Sequence, residues 1–250
     1  MSKTESKHNF WKRFKAFWEH LLFPDDIKCI FCGRDIFNFA EKPFCEDCEK
    51  TLPFNDGNRC IICDDPIDNE ATVCDSCQKY KRFFKKAYCP FVYQGDVRKV
   101  ILSFKDSNQR YKAKAFAKLI AERILKDNVK LDKITYIPLT KKKLRERSFN
   151  QAKLLAEEIG KILNVEVFDL FEKVKDNKGQ KFASFKERQE NTLNMYVLKS
   201  VKLSKKENVL IVDDIITTCA TVNYCAGLIS SKVKDIYVCA IARNKLRMQK

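Results

Sequence analysis

Along residues 81–250, short apolar runs recur between longer stretches whose apolar positions fall every three or four residues. The runs have strand length and the stretches helix length, which predicts strands alternating with helices. AYCPFVYQGDVRKVI, from Ala87 to Ile101, reads as a strand, a turn at Gly95 and a helix. Residues 111–126 continue as helix, 133–139 form a strand around ITYIP, and 148–163 return to helix. Residues 209–213 and 235–242 (DIYVCAIA) complete the set of strands. Uninterrupted runs such as VLIV read as strands buried on both faces, so the expected fold class is α/β, a mostly parallel sheet flanked by helices. In such a sheet, ligands lie beyond the carboxyl ends of the strands, so the loops after 137, 213 and 242 are expected to converge. Nearer the start, FWKRFKAFWEHLL at 10–22 places Phe10, Phe14, Phe17, Trp18, Leu21 and Leu22 on one face with Lys and Arg opposite. That pattern predicts an amphipathic helix packed on the protein itself or on a partner, ended by Pro24.

Residues 29–80 follow neither period, and cysteine spacing organises them instead. Eight of the twelve cysteines form four Cys-x2-Cys pairs: Cys29/Cys32, Cys45/Cys48, Cys60/Cys63 and Cys74/Cys77. Each pair can grip a tetrahedral metal from two sides, and the intervals of 12 and 10 residues suit four-cysteine zinc knuckles and ribbons, whose zinc is structural. One or two Zn²⁺ are expected, with sequential and cross-braced pairing both open. No apolar secretory core precedes the cysteines, so a reduced cytoplasmic compartment is the expectation, and no apolar run reaches membrane-spanning length. Cys89, Cys219, Cys225 and Cys239 lack partners at ligand spacing and read as small buried apolar residues. The expected organisation is an amphipathic helix at 1–28, a zinc-finger module at 29–80 and a larger domain at 81–250.

The formal net charge of +16 is unevenly distributed. Residues 1–28 carry a net +2, residues 29–80 a net −6 and residues 81–250 a net +20. The cysteine module is acidic, so its metal is expected to fold it and not to present it to phosphates. The basic field of the larger domain suits a polyphosphate ligand or nucleic acid.

The chemistry concentrates in VLIVDDIITTCATV at 209–222. Asp213 and Asp214 leave the strand where a ligand's hydroxyls could be bound. Thr217, Thr218, Cys219, Ala220 and Thr221 open a helix whose unsatisfied N–H groups and dipole favour an anion. Two acids beside an anion cradle suit a phosphorylated sugar. The loop after the 133–139 strand, Thr140 and Lys141 leading to Arg145 and Arg147, is cationic and faces the acidic loop.

The 209–222 segment resembles the diphosphoribose-binding loop of type I phosphoribosyltransferases: an apolar strand, two acids, two apolar residues, then Thr-Thr-Gly. Cys219 stands where that pattern has Gly, and its side chain is expected to crowd the approach to phosphate. Taken with LLFP before the first cysteine, the double Cys-x2-Cys module and LRERSFNQAKLLA at 144–156, the chain resembles the ComF family. Members of that family are phosphoribosyltransferase-like proteins associated with natural transformation in bacteria. The resemblance implies a type I phosphoribosyltransferase-like sheet behind a small four-cysteine zinc module, phosphoribosyl diphosphate bound with Mg²⁺, and single-stranded DNA and competence or recombination proteins as partners. It carries Gln180, Arg188 and Asn191 over from KVKDNKGQKFASFKERQENT at 173–192, with Arg145, Arg147, Gln180 and Arg188 as loop and nucleic-acid candidates. Ser148 stands where Gly is usual, and Asn177, Lys178 and Gly179 replace a usual Thr and prolines. Thr217 occupies the place of the Asp proposed to act near the base in purine enzymes of this class. Nothing therefore identifies an acceptor, and an active phosphoribosyltransferase or a phosphoribosyl-diphosphate-sensing regulator stay as alternatives to a DNA-binding competence factor.

Overall fold

A computed structural model describes residues 28–36, 42–67, 70–104, 109–175 and 194–244. The expected helix at 10–22 and the candidates Gln180, Arg188 and Asn191 lie outside the described residues. The chain divides into two compact units, Met1–Thr51 and Leu52–Lys250. That boundary falls inside the 29–80 stretch and leaves one cysteine cluster in each unit.

In the first unit a tight knuckle carries Cys29 and Cys32. The Cys29 N–H donates to the Arg34 carbonyl at 2.8 Å and the Gly33 N–H to the Cys29 carbonyl at 2.9 Å. Gly33 has a φ of 74°, a left-handed turn that glycine takes without side-chain strain. The helix α1, Glu46–Thr51, begins directly after Cys45.

The second unit starts with another cysteine knuckle and the short helix α2, Asp75–Lys79, which begins just after Cys74. The strands β1, Lys86–Tyr88, and β2, Phe91–Val92, follow, then the helices α3, Gly95–Ser103, and α4, Lys112–Lys126. The chain continues through β3, Lys133–Tyr136; α5, Lys141–Arg147; α6, Gln151–Leu163; β4, Phe171–Lys173; and β5, Tyr196–Leu198. It closes with β6, Asn208–Val212; β7, Ile215–Ile216; α7, Ala220–Ile229; β8, Asp235–Cys239; and β9, Ala242–Arg243.

The main sheet has the order β1-β8-β6-β3 with every pair parallel, as the doubly buried apolar runs predict. A second parallel sheet, β2-β9-β7, prolongs β1, β8 and β6 beyond short breaks, and β4 pairs antiparallel with β5. Alternate residues Val209 and Ile211 of β6 and Ile236 and Val238 of β8 share a buried cluster with Val222, Cys225 and Ala226 of α7. Period-two alternation leaves Leu210 and Val212 for the other face. The long helices α4 and α6 pack on each other, α4 also against β1 and α6 against β3 and β6.

The same buried cluster includes Cys60, Cys63 and Phe84, so the second knuckle is part of the α/β core. It is stitched there by backbone. Ala87 of β1 donates to the Ile62 carbonyl at 2.8 Å, and the Cys89 N–H donates to the Asp64 carboxylate at 2.7 Å. Asp64 also pairs with Arg59 at 3.0 Å, yet burial pushes its carboxyl up to about 6. No helix among the described residues is long and apolar enough to cross a membrane.

Candidate functional site

Beta-strand register brings the two predicted loops together. Tyr136 pairs with Val212 in the parallel β3–β6 ladder, and the Ile137 N–H donates to the Val212 carbonyl at 2.9 Å. The segment after β3 and the acid pair after β6 therefore leave neighbouring strands at the same carboxyl edge, the expected ligand position of an open parallel sheet.

After Val212 the chain makes two self-bracing steps. Asp213 Oδ1 accepts from the Asp214 N–H at 2.8 Å, and Asp214 Oδ1 accepts from the Ile215 N–H at 2.8 Å. Both acids are half-buried. Desolvation, followed by the adjacent Asp214 charge, pushes the Asp213 carboxyl well above the ordinary carboxylate range, while Lys173 of β4 opposes the shift. An incoming cation would relieve that burden, and two neighbouring carboxylates with free lone pairs fit a hard divalent ion such as Mg²⁺.

Residues 217–219 then turn into α7. The first-turn N–H groups of this ten-residue helix have no intrahelical partners. A hollow of about 30 Å³ lies among Asp213, Thr217, Thr218, Cys219, Ala220 and Thr221. Thr218 is buried and its hydroxyl accepts from the Ala220 N–H at 3.2 Å.

Cys219 takes a left-handed φ of 64°, the conformation that explains why a glycine fits the phosphoribosyltransferase pattern here. The residue is 3% exposed and lies in the same buried cluster as Cys63. The side chain is thus turned into the core and not across the mouth of the loop. Ser148, the other position where the pattern has glycine, takes a φ of 65°.

The cationic segment is not the loop expected of it. Residues Lys141–Arg147 form the helix α5, with the Thr140 hydroxyl accepting from the Lys143 N–H at 3.3 Å as the N-cap. Lys141 and Arg145 are exposed and Arg147 is half-buried. Asn150 caps α6, its side-chain oxygen accepting from the Ala152 N–H at 2.9 Å while its amide donates to the Ile137 carbonyl at 3.0 Å. This bond ties α6 to the end of β3 and gives the SFNQ segment a structural role. Beside it opens a cleft of about 520 Å³ lined in part by Arg110, Lys141, Ser148, Lys153, Lys173 and Lys199. Lys141 lines this cleft and the acid pair's loop lines the smaller hollow, with Lys173 charge-coupled to Asp213 between them.

Each cysteine cluster has four sulfurs within 4.8 Å of one another: Cys29, Cys32, Cys45 and Cys48 in one unit, and Cys60, Cys63, Cys74 and Cys77 in the other. Zn–S bonds of about 2.3 Å give a tetrahedron with edges near 3.8 Å. The Cys32–Cys45 and Cys63–Cys74 sulfurs stand 3.7 and 3.5 Å apart, so both sets fit structural zinc. The pairing is sequential. No cysteine of the twelve is in a disulfide.

Two residues that sequence reading passed over sit at the loop. Arg243 is 3% exposed and donates to the Ile216 carbonyl at 3.0 Å and to the Thr217 carbonyl. Arg82 donates to the Ser76 hydroxyl at 2.6 Å and to the Thr218 carbonyl at 3.5 Å. The signal for Arg243 was a lone cation closing the apolar run DIYVCAIA; Arg82 lies in an ordinary basic stretch with no such mark.

Comparison with known proteins matches residues 18–78 to the double zinc ribbon domain family. Over 232 residues, 87% of this chain, it is 28% identical to competence protein F of Haemophilus influenzae, covering 97% of that protein. It is 26% identical to competence protein ComFC of Streptococcus pneumoniae over the same share, covering 100% of that protein. Among solved structures, an adenine phosphoribosyltransferase aligns over 59% of this chain and 76% of its own, with 18% identity and a TM-score of 0.38. A purine phosphoribosyltransferase from Pyrococcus horikoshii aligns over 54% and 82%, with 14% identity and a TM-score of 0.35. The class is a parallel α/β fold with a zinc ribbon module at its N-terminal side. Within that class the likeness is to the ComF family, along most of the chain.

Proposed function

We propose that this chain binds phosphoribosyl diphosphate with Mg²⁺ at the 213–221 loop, binds single-stranded DNA on its basic α/β domain, and serves natural transformation in the cytoplasm. The observation that carries the ligand reading is the joining of two carboxylates and a helix N-terminus in one loop at the carboxyl edge of a parallel sheet. Asp213 and Asp214 take the ribose hydroxyls or the metal, the N–H groups and hydroxyls of residues 217–221 take the 5′-phosphate, and Lys141 and Lys173 face the diphosphate. The bound Mg²⁺ supplies charge neutralisation on the diphosphate. The names of the two competence relatives support the role in transformation.

Because the Asp213 carboxyl is held above its ordinary range, its ionised, metal-binding form is scarce at low pH. Mg²⁺-dependent binding is expected to strengthen with rising pH, by up to about tenfold per unit below the raised value, with Asp214 and Lys173 as its charged neighbours. Calorimetry across a pH series checks this. Asp213→Asn should leave only the slope of the ligand's own phosphates.

The net +20 of residues 81–250 supports DNA contact through phosphates. Affinity for single-stranded oligonucleotides is then expected to fall by about 0.7 log units per phosphate contact for each log unit of salt, with little dependence on sequence. Fluorescence anisotropy titrations at several salt concentrations measure the slope, and a flat slope contradicts this placement.

A further inference from the structure

We infer that the second cysteine cluster is a working part of the 213–221 loop: its metal holds Arg82 and Arg243 in place, and these arginines aim the loop's N–H groups at the ligand. The inference rests on the loop being the phosphate site, although its first test below does not.

Three consecutive loop carbonyls, those of Ile216, Thr217 and Thr218, accept from the two guanidiniums. No cis peptide bond is present among the described residues, and a trans peptide sets the carbonyl of one residue and the N–H of the next on opposite sides. Pinning the three carbonyls on the arginine side therefore turns the N–H groups of Thr217, Thr218 and Cys219 the other way. The left-handed Cys219 at the end of this series adds the concave backbone turn that gathers N–H groups around an anion.

The same guanidiniums reach the cluster sulfurs. Arg82 Nε donates to Cys77 Sγ at 3.3 Å, and Arg243 donates to Cys63 Sγ at 3.8 Å while pairing with Asp65 at 3.3 Å. Cys219 shares a buried cluster with Cys63. Each arginine thus has one edge on a metal ligand and another on a loop carbonyl. A Zn²⁺ bound by four thiolates carries a net charge of about −2, which the two cations compensate inside a buried region. Removing the metal dissolves this anionic cluster, and the arginines lose the contacts that fix them against the loop. Among the described residues, the partners of the two arginines all lie in Leu52–Lys250. The tandem ribbons therefore have separate duties: the second is joined to the ligand loop, and a zinc-depleted protein is expected to lose its ligand through that site.

Hydrogen–deuterium exchange on the full chain tests this without any ligand. Arg82→Gln keeps all four cysteines of the cluster, and it should raise exchange across residues 217–223 by about tenfold while leaving β6 and β8 protected and zinc content unchanged. The pair Cys74→Ser with Cys77→Ser should raise it further, together with exchange elsewhere in Leu52–Lys250, and lose one zinc per chain by elemental analysis. Cys29→Ser with Cys32→Ser should lose one zinc and leave the loop's exchange at the wild-type level. Loop exchange unaltered in Arg82→Gln overturns the inference, as does equal loosening of the loop when the first cluster is removed. Calorimetry with Mg²⁺ and phosphoribosyl diphosphate separates the two readings. A wild type that fails to bind overturns the proposed ligand and leaves exchange to decide the wiring, whereas a wild type that binds should weaken about tenfold in Arg82→Gln.

Discussion

Replacing Asp213 and Asp214 together by Asn is expected to reduce Mg²⁺-dependent binding of phosphoribosyl diphosphate by at least about a hundredfold. Hydrogen bonds to charged groups contribute on the order of 1.5–3 kcal/mol each, so loss of two ionic ligands reaches about 3–6 kcal/mol. Folding should be nearly untouched. The Asp213 and Asp214 oxygens that accept from the following N–H groups have counterparts in the Asn amide oxygen. Asn also removes the desolvation burden that holds the Asp213 carboxyl above its ordinary range. Calorimetric titration paired with a thermal unfolding scan checks both halves. Full binding by the double variant would remove the acids from the site.

Loss of the second cysteine cluster should be far more damaging than loss of the first. Spacing alone treats the four Cys-x2-Cys pairs alike and leaves the larger domain folded without any of them. The structure separates them: Cys60 and Cys63 are 1% and 0% exposed within the core cluster that also holds Val209, Ile211 and Val222. Structural zinc contributes about 10–16 kcal/mol in isolated fingers, comparable with the whole stability of a typical domain at about 5–15 kcal/mol. Cys60→Ser with Cys63→Ser is therefore expected to abolish the cooperative unfolding transition of Leu52–Lys250. Cys29→Ser with Cys32→Ser should preserve it, because those ligands lie in the other compact unit. Differential scanning calorimetry of the two double variants decides the point. Matching losses in both would show that the two clusters are energetically equivalent.

The parallel sheet was legible because a strand buried on both faces has no polar alternation to conceal it: VLIV at 209–212 and DIYVC at 235–239 became β6 and β8. The metal ligands were legible because tetrahedral sulfur coordination imposes a spacing that few other constraints produce. The helix at Lys141–Arg147 was not legible. Its charge run lacks an apolar stripe, and the turn that ends it uses Ser148 in a left-handed conformation where a glycine would have marked the stop. Cys219 was visible as an odd residue, but its burial depends on a core that also holds Cys63, 156 positions away in the chain. Burial of the second knuckle is likewise set by tertiary contact: the bonds from Ala87 to Ile62 and from Cys89 to Asp64 leave no trace in cysteine spacing.

The account's central claim is that the loop after β6 holds a phosphorylated ribose and that nucleic acid binds elsewhere on the same domain. Isothermal titration of the zinc-loaded chain with phosphoribosyl diphosphate, with and without Mg²⁺, and then with a single-stranded oligonucleotide, tests it most directly. The expected result is saturable, Mg²⁺-dependent binding of phosphoribosyl diphosphate that Asp213→Asn with Asp214→Asn removes, and oligonucleotide binding that the same double variant retains. Oligonucleotide binding lost together with the acid pair, or no heat from phosphoribosyl diphosphate at any Mg²⁺ concentration, would contradict the account.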